Sequence, residues 1–128
     1  MAIATLSVVY MRTMKMEGAY IMNFNDYQKY VQDGMSSAYN LQLGCLGLAG
    51  EVGEVCDLIK KDGIYPNKIS DLVLRDKIVD ELGDVMWQAF AIANIIGIPM
   101  IHIIESNIAK LNLRHGGAGR TDTTGGKR

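Results

Sequence analysis

Apolar residues recur along most of this chain at the three- to four-residue spacing of α-helices. Four helices are predicted, with these bounds: Tyr27 toward Tyr39, about Leu41 to Lys61, Asp71 to about Ile96, and about Pro99 to Arg114. No segment alternates apolar and polar residues convincingly over a strand's length, apart from a weak case near residues 5–10. The pattern therefore predicts an all-α fold, an antiparallel four-helix bundle.

Residues that favour helix ends stand at the predicted boundaries. Asn25 or Asp26 can cap the first helix, and Ser70 can cap the third. The second, third and fourth helices are expected to end at glycines, which are Gly63, Gly97 and Gly116 in that order. Gly34 falls in the middle of the predicted first helix and should weaken it.

The length of 128 residues suits one domain, and 48% hydrophobic residues is too apolar for a disordered chain. We expect residues 22–116 to form this domain, with an N-terminal extension over 1–21 that adds little to it. Residues 117–128 are rich in Gly and Thr and predict a flexible tail.

Charge and cysteine content narrow the class of protein. The formal net charge of -1 provides no general basic field for nucleic acid or an anionic membrane. No apolar run reaches the length of a membrane span, and the N-terminus lacks the features of a signal peptide. Cys45 and Cys56 would lie roughly 16 Å apart on one helix, too far for a disulfide. Two reduced thiols are typical of a cytoplasmic protein.

Two acidic pairs carry the candidate chemistry. Glu51 and Glu54 lie three positions apart on the second predicted helix, and Glu81 and Asp84 do so on the third. This spacing puts both carboxylates of a pair on one helix face, and an antiparallel return lets the pairs face each other. Four converging carboxylates would repel one another, and oxygen ligands of this kind suit Mg²⁺ or Mn²⁺. The pattern predicts a magnesium site.

Glycines accompany these acids at regular spacing. Four of them recur every third position along the second helix: Gly44, Gly47, Gly50 and Gly53. Each costs about 1 kcal/mol of helix stability relative to alanine. Close approach of another helix or of a ligand is a physical reason for such a cost. The surrounding sequence is strongly apolar, which disfavours the simpler interpretation of the acids as a solvated helix face.

The residues from Gly47 to Val55, Lys60-Lys61, and Asp80 to Trp87 resemble the MazG-like nucleotide pyrophosphohydrolases, an all-α family. The resemblance extends from about Phe24 to His115. It implies Mg²⁺-dependent hydrolysis of a nucleoside triphosphate, NTP or dNTP, to the monophosphate and pyrophosphate. It also implies four metal ligands that assist catalysis: Glu51, Glu54, Glu81 and Asp84.

The resemblance continues near the C-terminus, where Asn107, Lys110 and Arg114 share one face of the fourth helix and could bind phosphate oxygens. Lys61 follows Glu54 on the same helix face and could do the same. Trp87 could stack on a base. Each has a plainer alternative, because lysines are often solvated, Lys110 and Arg114 favour a helix C-terminus, and tryptophans are often in the core.

Several helices are apolar over a wide stripe that a bundle of this size would struggle to cover. We therefore expect a homo-oligomer, a homodimer by default or a homotetramer. Two other functions stay open. A di-iron bundle needs Glu-x-x-His motifs, whereas His102 precedes Glu105 here in the reverse order. A non-catalytic helical interaction module would have its acids solvated or paired with Arg75 and Lys77.

Overall fold

The computed structural model describes residues 23–64 and 72–115, and it confirms the all-α class. Four helices follow in order: α1 (Phe24–Gly34), α2 (Leu41–Ile64), α3 (Leu72–Ile96) and α4 (Met100–Arg114). No strand occurs within these two described ranges. The expectations for residues 1–21, Ser70, Gly116 and the tail lie outside them.

Helix α1 begins and ends elsewhere than the sequence predicted. Asn23, rather than Asn25 or Asp26, is its N-cap: the backbone N–H of Asp26 donates to Asn23 Oδ1 at 3.0 Å, and the Asn23 N–H donates to Asp26 at 3.5 Å. This reciprocal capping box satisfies two backbone donors. The helix ends at Gly34 instead of continuing toward Tyr39, because glycine and the serines that follow it favour the helix weakly.

Helices α2 and α3 form the most extensive helix pair of the fold. A Cβ added at Gly44 would lie 2.9 Å from Ile92 Cγ1, and one added at Gly47 would lie 2.6 Å from the Gln88 amide. Position numbers therefore rise along α2 as they fall along α3, which confirms the antiparallel return. The predicted stop at Gly63 was slightly early, since α2 continues to Ile64.

The core lies where α1 crosses the C-terminal half of α3. Val31, Phe90, Ala91 and Ala93 are fully buried, and Met100 at the start of α4 is nearly so. The Tyr27 ring meets Phe90 edge-on with centroids 4.8 Å apart, a favourable aromatic geometry. The acidic positions of α3 precede this core, so the chain is stabilised mainly at one end of the α2–α3 pair.

Gln28 connects α1 to the junction between α3 and α4. Its Nε2 donates to the Ile98 carbonyl at 3.0 Å, and its Oε1 accepts from the Met100 N–H at 2.7 Å. Asn94 Nδ2 returns a hydrogen bond to the Gln28 carbonyl at 3.0 Å. Gly97 makes the turn possible with a φ of 70°, a backbone conformation that favours glycine. The predicted end of α3 at Ile96 is thereby confirmed.

Much apolar surface stays exposed in the single chain. Eighteen large hydrophobic side chains are exposed among the described residues, with Leu46 at 72% and Leu113 at 86%. Within the described ranges, no single helix is long and apolar enough to cross a membrane. Helices α3 and α4 together, bent by 100° at their junction, are long and apolar enough by the criteria of length and composition alone.

We predict that Gln28→Leu lowers the free energy of unfolding by about 1–2 kcal/mol, because the Met100 N–H and the Ile98 carbonyl lose their partner. Chemical denaturation monitored by circular dichroism measures this. Gln32→Leu is the matched control on exposed α1 surface, expected within about 0.5 kcal/mol of the wild type. Equal effects of the two substitutions would contradict the connecting role of Gln28.

Candidate metal centre

The two acidic pairs meet across the interface of α2 and α3. Oxygens of Glu51, Glu81 and Asp84 all lie within 4.8 Å of one another. Glu51 and Glu81 are half-buried, whereas Asp84 is exposed. The helical spacing of the pairs and the antiparallel register together produce this arrangement, since the register found at Gly44 and Gly47 puts residue 51 opposite residue 84.

Glu54 lies outside this closest group but acts on it electrostatically. Partial burial is the main cause that raises the pKa of Glu81, followed by the negative charge of Glu54 and then by Asp84, Glu51 and Asp80. The carboxyl of Glu81 thus loses hydration and faces like charges on both helices, and both effects disfavour its ionised form. The site has a deficit of positive charge.

Within the described residues, no salt bridge joins any of the four acids to a cation of the protein, although the charge of Lys61 acts on Glu54 from a distance. The ion pairs found there are Lys29–Asp33 on α1 and Lys61–Asp57 on α2. Arg75 and Lys77, which a purely structural acidic surface would have used, form no salt bridge with the four acids in the part of the chain described. An interaction module with internally paired acids is therefore not what the geometry favours.

The donor set fits a hard divalent cation. It consists of carboxylate oxygens alone, with no histidine or cysteine in the group. Mg²⁺ and Mn²⁺ prefer such ligands and commonly keep open positions for water and phosphate oxygens. The donor set differs from the Glu-x-x-His sites of di-iron bundles, because the group found in the described residues contains no imidazole.

The other predicted site residues are distributed over three helices. Lys61 is exposed on α2 and binds Asp57 at 2.5 Å, and this hydrogen bond raises the pKa of Lys61. Asn107 and Lys110 line a groove of about 440 Å³ on α4 with His102 and Ser106, and none of the four acids lines it. Arg114 is exposed in the last turn of α4.

Trp87 lies on α3, directly after the acidic stretch, and is half-buried. The Tyr39 ring meets it edge-on with centroids 5.7 Å apart, and the Tyr39 hydroxyl donates a hydrogen bond to Gln88 Oε1. The sequence did not predict this contact between Tyr39 and Gln88. The spacing offered one signal: Gln88 lies four positions after Asp84 and hence on the same helix face.

The sequence model of the MazG nucleotide pyrophosphohydrolase domain matches residues 41–117. This segment is more than half of the chain and contains all four acids. The chain belongs to this family. The resemblance noted from the acidic and glycine positions is thereby confirmed, and the MazG-family domain includes α2, α3 and α4.

A curated relative of this MazG-family chain is the Gene 37 protein of Mycobacterium phage L5, with 34% identity over 74 residues. The match spans 54% of this chain and 60% of the phage protein, and that protein's name states no activity. No solved structure matches the chain.

We predict that Glu81→Gln raises the melting temperature of the metal-free protein, because it removes one of the repelling carboxylates. The same substitution should abolish most of the stabilisation that added Mg²⁺ gives the wild type, since metal binding to the folded state stabilises it. Thermal unfolding with and without Mg²⁺ measures both effects.

Glu105→Gln makes the same chemical change at an exposed position of α4 and serves as the control. It should leave the metal-free melting temperature and the Mg²⁺ response unchanged. A wild-type protein that Mg²⁺ does not stabilise, or a Glu81→Gln variant that responds fully, would argue against the metal centre.

Proposed function

We propose that this MazG-family protein hydrolyses a nucleoside triphosphate, NTP or dNTP, to the monophosphate and pyrophosphate in a Mg²⁺-dependent reaction. The observation that carries the proposal is the convergence of Glu51, Glu81 and Asp84 within 4.8 Å, inside the segment that matches the family. The phage relative adds no information on substrate.

The carboxylates would hold the metal, with Glu51, Glu81 and Asp84 as the closest ligands and Glu54 as the fourth. When bound, Mg²⁺ would supply charge neutralisation and Lewis-acid polarisation of phosphate oxygens. Its presence would also offset the repulsion by neighbouring acids that, after partial burial, raises the pKa of Glu81. Charge balance therefore favours a divalent cation at the acids, and that cation would in turn offer open positions for phosphate oxygens.

The bond to be cleaved joins the α-phosphorus to the oxygen that bridges to the β-phosphate. A water oxygen forms the new bond at the α-phosphorus, pyrophosphate leaves with the bridging oxygen, and the water proton passes to a carboxylate. Glu51 or Glu54 is a suitable acceptor, since both belong to α2 and both face the site from the side opposite Asp84.

Further residues would complete substrate binding. Lys61 follows the acids along α2 and can exchange Asp57 for a phosphate oxygen, because both partners of this ion pair are exposed. Trp87 offers a ring next to the acidic stretch of α3 for contact with a base. Asn107, Lys110 and Arg114 are the candidate phosphate ligands of α4, where all three are exposed.

The exposed apolar surface supports assembly into a homodimer, with a homotetramer as its extension. Leu46, Gly50 and Gly53 share one face of α2 by their spacing of four and three residues. Leu46 is 72% exposed, and nothing lies within 4 Å of a Cβ added at either glycine. This face can receive a helix of a second copy at close range.

The catalytic proposal predicts that the protein with Mg²⁺ releases pyrophosphate and a monophosphate from at least one member of a panel of NTPs and dNTPs. Glu81→Gln should lower kcat/KM by about 100-fold or more, whereas Glu105→Gln should leave it unchanged. Product separation by anion-exchange chromatography distinguishes pyrophosphate from orthophosphate. Orthophosphate as the first product would show that a different bond is cleaved, and no turnover at all would favour a non-catalytic module.

The assembly proposal predicts a dimer or tetramer in sedimentation at micromolar concentration. Leu46→Glu should shift the protein toward monomer, because it places a charge on the apolar face of α2. Gln32→Glu adds the same charge to an exposed polar position of α1 and should not change the mass. A monomeric wild type would overturn this part of the proposal.

A further inference from the structure

The interface of α2 and α3 continues beyond the acids toward the aromatic end of the pair. On α3, Gln88 follows Asp84 by four residues, and on α2, Gly47 precedes Glu51 by four. Each step is one helical turn of about 5.4 Å on the same face. Gln88 and Gly47 therefore form the layer next to the metal centre, and the Gln88 amide lies 2.6 Å from where a Cβ on residue 47 would be.

Gly47 leaves the space that the Gln88 amide occupies. The Cδ, Nε2 and Oε1 atoms of Gln88 all lie 2.6 Å from the position of a Cβ at residue 47. Real side chains do not tolerate this distance, so any other residue would displace the amide. The glycine thus leaves room for an amide group between two helices beside the acids.

Tyr39 fixes the orientation of that amide. Its hydroxyl donates to Gln88 Oε1, so both N–H groups of Nε2 point away from this bond. No described residue accepts a hydrogen bond from Nε2. Gln88 is half-buried, and its Nε2 is not one of the fully buried side-chain atoms that lack a partner among the described residues, so Nε2 keeps some exposure to solvent. Gln88 Nε2 is therefore an oriented hydrogen-bond donor that has no acceptor among the described residues.

The two ends of the acidic interface differ in chemistry. Beyond Glu54 and Glu81 lie the positive charges of Lys61 on α2 and Lys77 on α3, which suit phosphates. At the opposite end lie Gln88, Tyr39 and Trp87, which suit an uncharged, planar group. A nucleotide whose phosphates are held at the acids would therefore direct its nucleoside toward Gln88.

We propose that Gln88 determines nucleoside preference by donating a hydrogen bond from Nε2 to an oxygen acceptor of the nucleoside, and that Tyr39 is its positioning residue. The acceptor is a keto oxygen of the base or a hydroxyl of the sugar. This inference rests on the proposed function in that it takes the substrate to be a nucleotide. It adds the residue that distinguishes one nucleotide from another.

The test measures dissociation constants by calorimetry in the presence of Mg²⁺, for the wild type, Gln88→Leu, Tyr39→Phe and the control Gln32→Leu. The probes are dTMP, dAMP, UMP, dUMP and inorganic triphosphate. Trp87 is the single tryptophan of the chain, so its fluorescence reports independently whether a bound nucleotide lies at this end.

The expected result is a loss of about tenfold in the affinity of Gln88→Leu for dTMP, which is the effect of one hydrogen bond. Inorganic triphosphate should bind unchanged, and Gln32→Leu should match the wild type throughout. Tyr39→Phe should produce a smaller loss of the same selectivity, because the amide stays but loses its orientation. Loss for dTMP, UMP and dUMP but not for dAMP identifies a base keto oxygen, and loss for all four nucleotides identifies the sugar hydroxyl that they share.

Equal losses for dTMP and inorganic triphosphate would overturn the inference, as would unchanged nucleotide affinities in a folded Gln88→Leu variant. If that variant does not fold, Tyr39→Phe decides by the same criteria. Absence of nucleotide binding to the wild type overturns the inference as well. Turnover of triphosphates with unaltered selectivity in Gln88→Leu would reject this inference alone, whereas Gln88-dependent binding without turnover would reject only the proposed hydrolysis.

Discussion

The repulsion among four carboxylates on α2 and α3 is the constraint on which the rest of this structure depends. Glu51, Glu81 and Asp84 converge within 4.8 Å with no cationic partner in the described residues, so this part of the helix pair opposes its own packing. The apolar contacts must lie elsewhere, and they do: Phe90 and Ala93 are buried further along α3, under α1. A fold that is stabilised at one end can keep an electrostatically unfavourable site at the other, and a divalent metal ion is the kind of ligand that relieves it.

The four glycines of α2 form two pairs that differ in what lies next to them. Gly44 and Gly47 leave the space that the Ile92 side chain and the Gln88 amide occupy. Gly50 and Gly53, beside the acids, face open space instead. One regular spacing in the sequence thus has two physical origins. The first pair lets α3 approach closely, while the second pair leaves a surface accessible to something outside the single chain. The cost in helix propensity is the same at all four positions, but only the first pair is accounted for by contacts within the chain.

Much of this arrangement was predictable from local patterns. Apolar periodicity located the four helices, and the spacing of Glu51, Glu54, Glu81 and Asp84 predicted two acidic faces that the antiparallel return brings together. Helix ends were less predictable, because Asn23 competes with Asn25 and Asp26 as a cap, and only the capping-box geometry selects it. Three-dimensional contacts such as Tyr39 with Gln88 were out of reach, since they join residues 49 positions apart and depend on the register of α2 against α3. The roles of Lys61, Asn107, Lys110, Arg114 and Trp87 in substrate binding stay predictions for the same reason.

Helix α1 lies outside the segment that matches the MazG family, yet the position of the acids depends on it. Tyr27 and Phe24 pack against Phe90, which lies six residues after Asp84 on the same rigid helix. Tyr27 also lies close enough to Asp84 that this carboxylate contributes, after burial and Tyr30, to raising the pKa of the tyrosine hydroxyl. Because α1 fixes the rotation of α3 at Phe90, less than two turns from Asp84, a change in the packing of α1 is transmitted to the metal centre as a rotation of its ligands. The geometry of the site is therefore a property of the whole described fold, not of the two acidic helices alone.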